Sequence, residues 1–146
     1  MKHMNYTDSI VMFTIMIVSG LLSTMNVWVD KWEHIGFSIN DIYMTFLMTG
    51  WSFLLMGLYY SKLDILCLGF FVVVINIWFI RTQFMVSNEQ YILGMIPHHS
   101  MAIHMSKQLL QNKQPVSKEF VSNIIETQEK EIKYMKRMYS RLTESV

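Results

Sequence analysis

The most informative stretch of the sequence reads Met95-Ile96-Pro97-His98-His99-Ser100-Met101-Ala102-Ile103-His104-Met105. It holds three of the chain's five histidines within seven residues, and three methionines are interleaved with them. Imidazole nitrogen suits copper, zinc, iron and nickel, whereas thioether sulfur is soft and selects chiefly Cu(I) or the heavier Ag(I). The stretch therefore predicts a metal site made of thioether and imidazole donors and carried on a helix.

The composition predicts a membrane protein. Of the 146 residues 52% are hydrophobic and only 16% charged, with a mean hydropathy of +0.28, which is too apolar for an ordinary soluble domain. The net charge of +1 gives no electrostatic reason to expect a nucleic-acid partner. The single cysteine, Cys67, excludes internal disulfides and cysteine-based zinc sites.

The hydrophobic residues are concentrated in three runs, at about residues 9–29, 42–60 and 64–80. Their lengths match the roughly 20 residues that a helix needs to cross a bilayer. We predict that residues 1–86 form an anchor of three transmembrane helices, with the lipid bilayer as a partner. A cleaved signal peptide is the competing interpretation of the first run, but no small-x-small cleavage site follows it. The flanking positive charges are balanced and do not fix the orientation.

Residues 87–146 carry frequent charges, and their apolar residues recur at helical spacing. Ser87 followed by Gln90 is typical of a capping box and predicts a helix over about 88–111. Pro97 lies inside this helix, where it removes one backbone hydrogen bond and favours a kink.

A second helix is predicted after a link at residues 112–116. Ser117 is a suitable N-cap, and the helical pattern continues to about Leu142. The predicted fold class is therefore all-α, with three transmembrane helices followed by a C-terminal antiparallel helical hairpin at residues 87–146.

Helical periodicity also predicts the inner faces of this hairpin. The first helix is expected to turn one side inward, formed by Met95, His98, His99, Ala102, Met105, Ser106, Leu109 and Leu110. The second is expected to do so with Val121, Ile124, Gln128, Glu131, Ile132, Met135, Met138 and Leu142. Antiparallel pairing brings one group with metal-binding potential to a single level: Met95, His98, His99, Gln128, Glu131 and Met135.

Glu131 and Gln128 fit the role of hydrogen-bond acceptors that orient a metal-bound imidazole, and Glu131 is alternatively a direct oxygen ligand. Met101, His104 and Met105 stand at positions i, i+3 and i+4 and suggest a second, more exposed soft site. The alternative is structural, because a histidine on an apolar face is commonly a hydrogen-bonded core residue. Met135 and Met138, taken alone, are more typical of a core.

The motif Met95-Ile96-Pro97-His98-His99-x-x-Ala102-Ile103, followed by Gln128-x-x-Glu131-Ile132-x-x-Met135, resembles the family catalogued as domain of unknown function 305. Its best-known members are CopM-like periplasmic copper-binding proteins. The match covers about residues 88–142, and the anchor resembles the three-span version found in bacterial membrane members.

The resemblance implies a ferritin-like helical bundle that binds copper or silver. It also implies a ligand set, namely Met95, His98, His99 and Met135, with Gln128 and Glu131 at the polar positions of the motif. The chain supplies only two such helices, half of a four-helix bundle, and about sixty residues bury too little surface to be stable alone. We therefore expect the hairpin to form a homodimer or to pack on its own anchor.

These observations together predict a membrane-anchored binding protein, not an enzyme, that sequesters or hands on Cu(I) or Ag(I). The Glu-x-x-His spacing of di-iron oxidases and the H-E-x-x-H motif of zinc hydrolases are both absent. Because cytosolic copper is usually handled by thiolates, we expect the hairpin in the periplasm or outside the cell and the N-terminus in the cytoplasm, in an inner (plasma) membrane. The alternative is a hairpin that only mediates assembly of membrane partners.

Overall fold

The computed structural model describes residues 6–111 and 117–144 of the chain. It contains five α-helices, α1 to α5, and two short 3-10 helices, with no strand among the described residues. The α-helices are Tyr6–Leu22, Ile39–Tyr59, Leu63–Thr82, Asn88–Gln111 and Lys118–Glu144. The predicted all-α fold class is confirmed, whereas the link at 112–116 lies outside the described residues.

The chain divides into two compact units. The apolar unit contains the described residues up to 24 together with 39–86, and the hairpin unit contains 25–38 with the described residues from 87 onward. Three helical stretches are long and apolar enough to cross a membrane: Tyr6–Trp28, Ile39–Tyr59 and Leu63–Thr82. They coincide with the three runs that the sequence predicted as spans.

The packing of α2 against α3 in the apolar unit depends on glycines. A Cβ atom added at Gly69 would lie 2.3 Å from the backbone nitrogen of Leu54, and one at Gly57 would lie 2.5 Å from that of Leu66. No side chain fits at these distances, so the two backbones approach as closely as small residues allow, a common way of joining helices in a bilayer. Between the helices, Ser61 adopts a left-handed conformation with φ 54°.

The hairpin unit is built on the antiparallel pair α4 and α5. Its core is an isoleucine cluster, Ile92, Ile96, Ile103 and Ile132, against which Met135, Tyr139 and Leu142 pack. Both predicted N-caps are present: the Ser87 hydroxyl accepts from the Gln90 N–H at 3.3 Å, and the Ser117 hydroxyl accepts from the Phe120 N–H at 3.3 Å.

Residues 25–38 form the third component of this unit, although the sequence placed them in the anchor. They contain the two 3-10 helices, Met25–Trp28 and Trp32–His34. The Asn26 side chain closes the segment by donating to the Gly36 carbonyl at 2.8 Å and accepting from the Gly36 N–H at 3.0 Å. The segment lies so close to α4 that a Cβ at Gly36 would be 2.4 Å from the Leu93 carbonyl oxygen.

This third component explains why the buried face of α4 differs from the predicted one. The buried residues are Ile92, Ile96, Pro97, Ser100, Ile103 and Ser106, whereas His98 and Met105 are exposed. The prediction assumed a single neighbour for α4. The helix has two, α5 and the segment 25–38, and its buried surface is divided between them.

Candidate metal-binding site

A cavity of about 500 Å³ lies between the first half of α4 and the second half of α5. Thioether, imidazole and carboxylate groups from both helices share its wall, namely Met95 and His99 from α4 with Glu131, Met135 and Met138 from α5. The remainder of the wall is mostly apolar or aromatic. The cavity therefore brings soft donor atoms together, and most of the other residues in its wall offer no competing metal ligand.

His99 is the best-placed nitrogen donor. Its side chain is 13% exposed, and its Nδ1 atom lies 3.0 Å from Oε2 of Glu131. The distance is short, although the contact does not meet the full geometric criteria of a hydrogen bond, and Nδ1 has no other hydrogen-bond partner among the described residues. Glu131 is thus the polar group closest to this buried nitrogen.

The charge state of His99 suits metal binding. Burial lowers the pKa of His99, and the opposing effect of the neighbouring Glu131 carboxylate does not cancel it. The imidazole is thus neutral at neutral pH, which is the form that ligates a metal. Glu131 stands where a carboxylate would hold the ring by Nδ1 and leave Nε2 as the donor atom.

The predicted site residues do not all reach this cavity. His98 is exposed and does not line it, although its ring centroid is only 5.9 Å from that of His99. Gln128 and Met101 are partly buried and also lie outside its wall. Met138 lies at the cavity edge with 37% exposure. The structure thus brings together three of the four predicted ligands, Met95, His99 and Met135.

Of the predicted second site, Met101, His104 and Met105, two residues line a different pocket. His104 and Met105 border it together with Trp28, without Met101. Among the described residues no group of three His, Cys, Asp or Glu side chains is arranged to hold a metal ion. The candidate site in the cavity between α4 and α5 therefore includes thioether sulfur among its ligands.

The comparisons with known proteins support the family resemblance. The family profile described as "Domain of unknown function (DUF305)" matches residues 81–139. The chain is also 38% identical, over 141 residues, to an uncharacterized protein of Acanthamoeba polyphaga mimivirus. That alignment covers 90% of this chain and 91% of the viral protein. The chain belongs to the DUF305 family. No solved structure matches it.

The DUF305 match includes every predicted donor but not the segment 25–38. In this DUF305 chain that segment is held by Ser100, the residue after His99. The Ser100 hydroxyl, which is fully buried, accepts from the Asp30 N–H at 2.8 Å and lies 2.8 Å from Nδ1 of His34. If the Ser100 hydroxyl donates to Nδ1, His34 carries its proton on Nε2, which lies 3.4 Å from Oε1 of Glu33.

Two ion pairs continue this attachment. Lys107 of α4 lies 2.7 Å from Asp30, and Lys136 of α5 lies 3.2 Å from Glu33. The hydrogen bond and charge of Lys136 lower the pKa of Glu33, and burial lowers the pKa of His34. Sequence reasoning missed this network. The only available signal was that Ser100 continues the stripe of Ile92 and Ile96 at intervals of four residues.

Proposed function

We propose that this DUF305 protein is a membrane-anchored metal-binding protein that holds Cu(I), with Ag(I) as its chemical analogue, in the cavity between α4 and α5. The observation that carries the proposal is the convergence of Met95, His99 and Met135 from two helices around one cavity, with Nδ1 of the His99 imidazole 3.0 Å from the Glu131 carboxylate. Thioether sulfur binds Cu(I) in preference to harder divalent ions.

The proposed roles follow from the position of each group. Met95, Met135 and the Nε2 of His99 are the ligands, Met138 is a further sulfur at the edge, and Glu131 orients the imidazole through Nδ1. The cavity is partly open, so a donor or acceptor can reach the ion.

Membrane anchoring is supported by the two candidate spans, α2 and α3, that lie in the sequence between the segment 25–38 and α4. Residues 25–38 pack against α4 in one unit, and α2 and α3 lie between them in the sequence. Two crossings return the chain to the side from which it started, so a spanning α2 and α3 would leave both segments on one side of the membrane. The contact and the proposed topology agree.

The side of the membrane is inferred from the ligand chemistry. The proposed ligands include no thiolate, and thioether and imidazole groups persist in an oxidising compartment better than thiolates do. We therefore place the hairpin unit outside the cytoplasm and the N-terminus inside. Single cysteines introduced at the exposed positions Ser140 and Lys130 test this placement. In intact cells a membrane-impermeant maleimide should label them, whereas labelling only after permeabilisation would place the hairpin unit in the cytoplasm.

The metal proposal is tested on the full chain in detergent under reducing conditions, in competition with a chromophoric Cu(I) chelator. Cys67 is changed to Ala and His104 to Gln throughout, because the exposed thiol and an imidazole outside the cavity would themselves compete for Cu(I). We expect His99→Ala and Met135→Leu to weaken binding strongly, and Glu131→Gln to weaken it by roughly 10- to 100-fold.

Two matched substitutions serve as controls. His98→Ala removes the adjacent, exposed imidazole, and Met48→Leu removes a thioether that is 52% exposed on α2. Both should leave the affinity unchanged. If His98→Ala abolishes binding while His99→Ala does not, the assignment of the ligand is wrong. If the parent protein does not bind Cu(I), the remaining function is a helical hairpin that assembles membrane partners.

A further inference from the structure

The hairpin unit has a second pocket near the end of α4 and the start of α5. It is open, with a volume of about 570 Å³, and its wall contains Trp28, His104, Met105 and Phe120. His104 is five residues beyond His99, which places it about 7.5 Å along the helix axis and about 140° around it. The two pockets thus draw on different parts of α4 and share no lining residue.

The donors in this pocket lie outside the isoleucine core of the hairpin unit. The His104 imidazole makes no hydrogen bond or ion pair with any residue that the structure describes. Met105 is 53% exposed and Trp28 is 55% exposed, so neither belongs to the isoleucine core. A half-exposed thioether and an imidazole without a hydrogen bond among the described residues contribute little to folding.

The residues that line this second pocket favour a soft monovalent metal ion. All potential donors are uncharged, and no carboxylate is among the residues that line the pocket. A divalent ion would find no compensating negative charge, whereas a soft monovalent ion suits thioether and imidazole ligands. Trp28 adds an aromatic face, which attracts a cation electrostatically and shields it from water.

We propose that His104, Met105 and Trp28 form a second binding site for a soft monovalent metal ion, Cu(I) or Ag(I), with the indole packed against the bound ion. The site differs from the predicted trio because Trp28, contributed by the segment 25–38, takes the place of Met101. It uses none of the ligands of the first cavity, so it stands or falls independently of the function proposed above.

The test uses Ag(I) as the probe in the full chain in chloride-free detergent solution. The parent carries Cys67→Ala, to remove the exposed thiol, and His99→Ala, to disable the first cavity. We expect Ag(I) to quench tryptophan fluorescence in this parent and Trp28→Phe to remove most of that quenching. His104→Gln and Met105→Leu should weaken the Ag(I) affinity by roughly tenfold or more.

The matched control is Trp32→Phe, because Trp32 lies in the same segment, is 84% exposed and does not line the pocket. It should retain the quenching and the affinity. Quenching that survives Trp28→Phe, or an affinity unchanged in both His104→Gln and Met105→Leu, would overturn the second site. A parent with His99 restored should bind one additional Ag(I), which separates failure of this site from failure of the first.

Discussion

Replacing Ser100 by Ala would test how the segment 25–38 is attached to the helix that carries His99. The substitution removes a fully buried hydroxyl that serves two partners, the Asp30 N–H and the His34 Nδ1, each at 2.8 Å. His34 is only 5% exposed, so water cannot readily replace the lost partner. Leaving a buried polar group unsatisfied costs about 1–3 kcal/mol.

Because about 1.4 kcal/mol corresponds to a factor of ten, opening of the segment should become about 5- to 150-fold more frequent. Hydrogen exchange followed by mass spectrometry reports this directly on the amides of His34, Ile35 and Gly36, which are hydrogen-bonded within the segment. Ser140→Ala is the matched control, since that hydroxyl is exposed on α5 and bonds only within its own helix. Unchanged exchange in Ser100→Ala would refute the proposed attachment.

Two further outcomes are expected. Burial lowers the folded-state pKa of His34, so protection of 25–38 should be constant above the unfolded pKa of about 6.5 and fall as the pH drops below it. Protection factors measured against pH should show this decrease in the parent protein. They should not show it in His34→Gln, which keeps the nearby charged residues Glu33, Lys31 and Lys136. In the apolar unit, Gly69→Ala should lower the unfolding free energy by about 1–3 kcal/mol, because its Cβ would strike the Leu54 backbone. Unfolding in mixed micelles measures this, and equal stability of Gly69→Ala and the exposed neighbour Cys67→Ala would contradict it.

The apolar unit could be predicted closely because hydrophobic length alone identifies its helices. The predicted runs at 42–60 and 64–80 became Ile39–Tyr59 and Leu63–Thr82. The first run, 9–29, is α-helical only to Leu22 and continues as the 3-10 helix Met25–Trp28. The residues beyond Leu22 are apolar enough for a span, but Asn26 is bonded to Gly36, ten residues away, and hydropathy does not register such a contact.

The hairpin was predictable because its signals are local. Ser87 and Ser117 cap helices within three residues of themselves, and the apolar period follows from the helix geometry. The antiparallel register also places His98 level with Glu131, but in the structure it is the adjacent His99 that lies 3.0 Å from that carboxylate. The role of segment 25–38 was not predictable, since it depends on contacts between residues about seventy positions apart, such as Asp30 with Ser100.

The difference between His98 and His99 shows the same limit. Both residues fit the inner face of a helix with one neighbour, and the sequence offers no reason to separate them. The second neighbour of α4 shifts the buried surface toward Ile96 and Ser100, so His99 enters the cavity while His98 remains exposed. The candidate ligand set is therefore smaller than the one that the family resemblance implied.

The most direct measurement is copper K-edge X-ray absorption of the full chain loaded with one equivalent of Cu(I). Cys67→Ala and His104→Gln in the same chain remove the exposed thiol and the second pocket's imidazole. We expect sulfur together with imidazole in the coordination shell, and loss of the imidazole contribution when His99 is also replaced. A shell of nitrogen and oxygen alone, or a spectrum indifferent to His99, would contradict it.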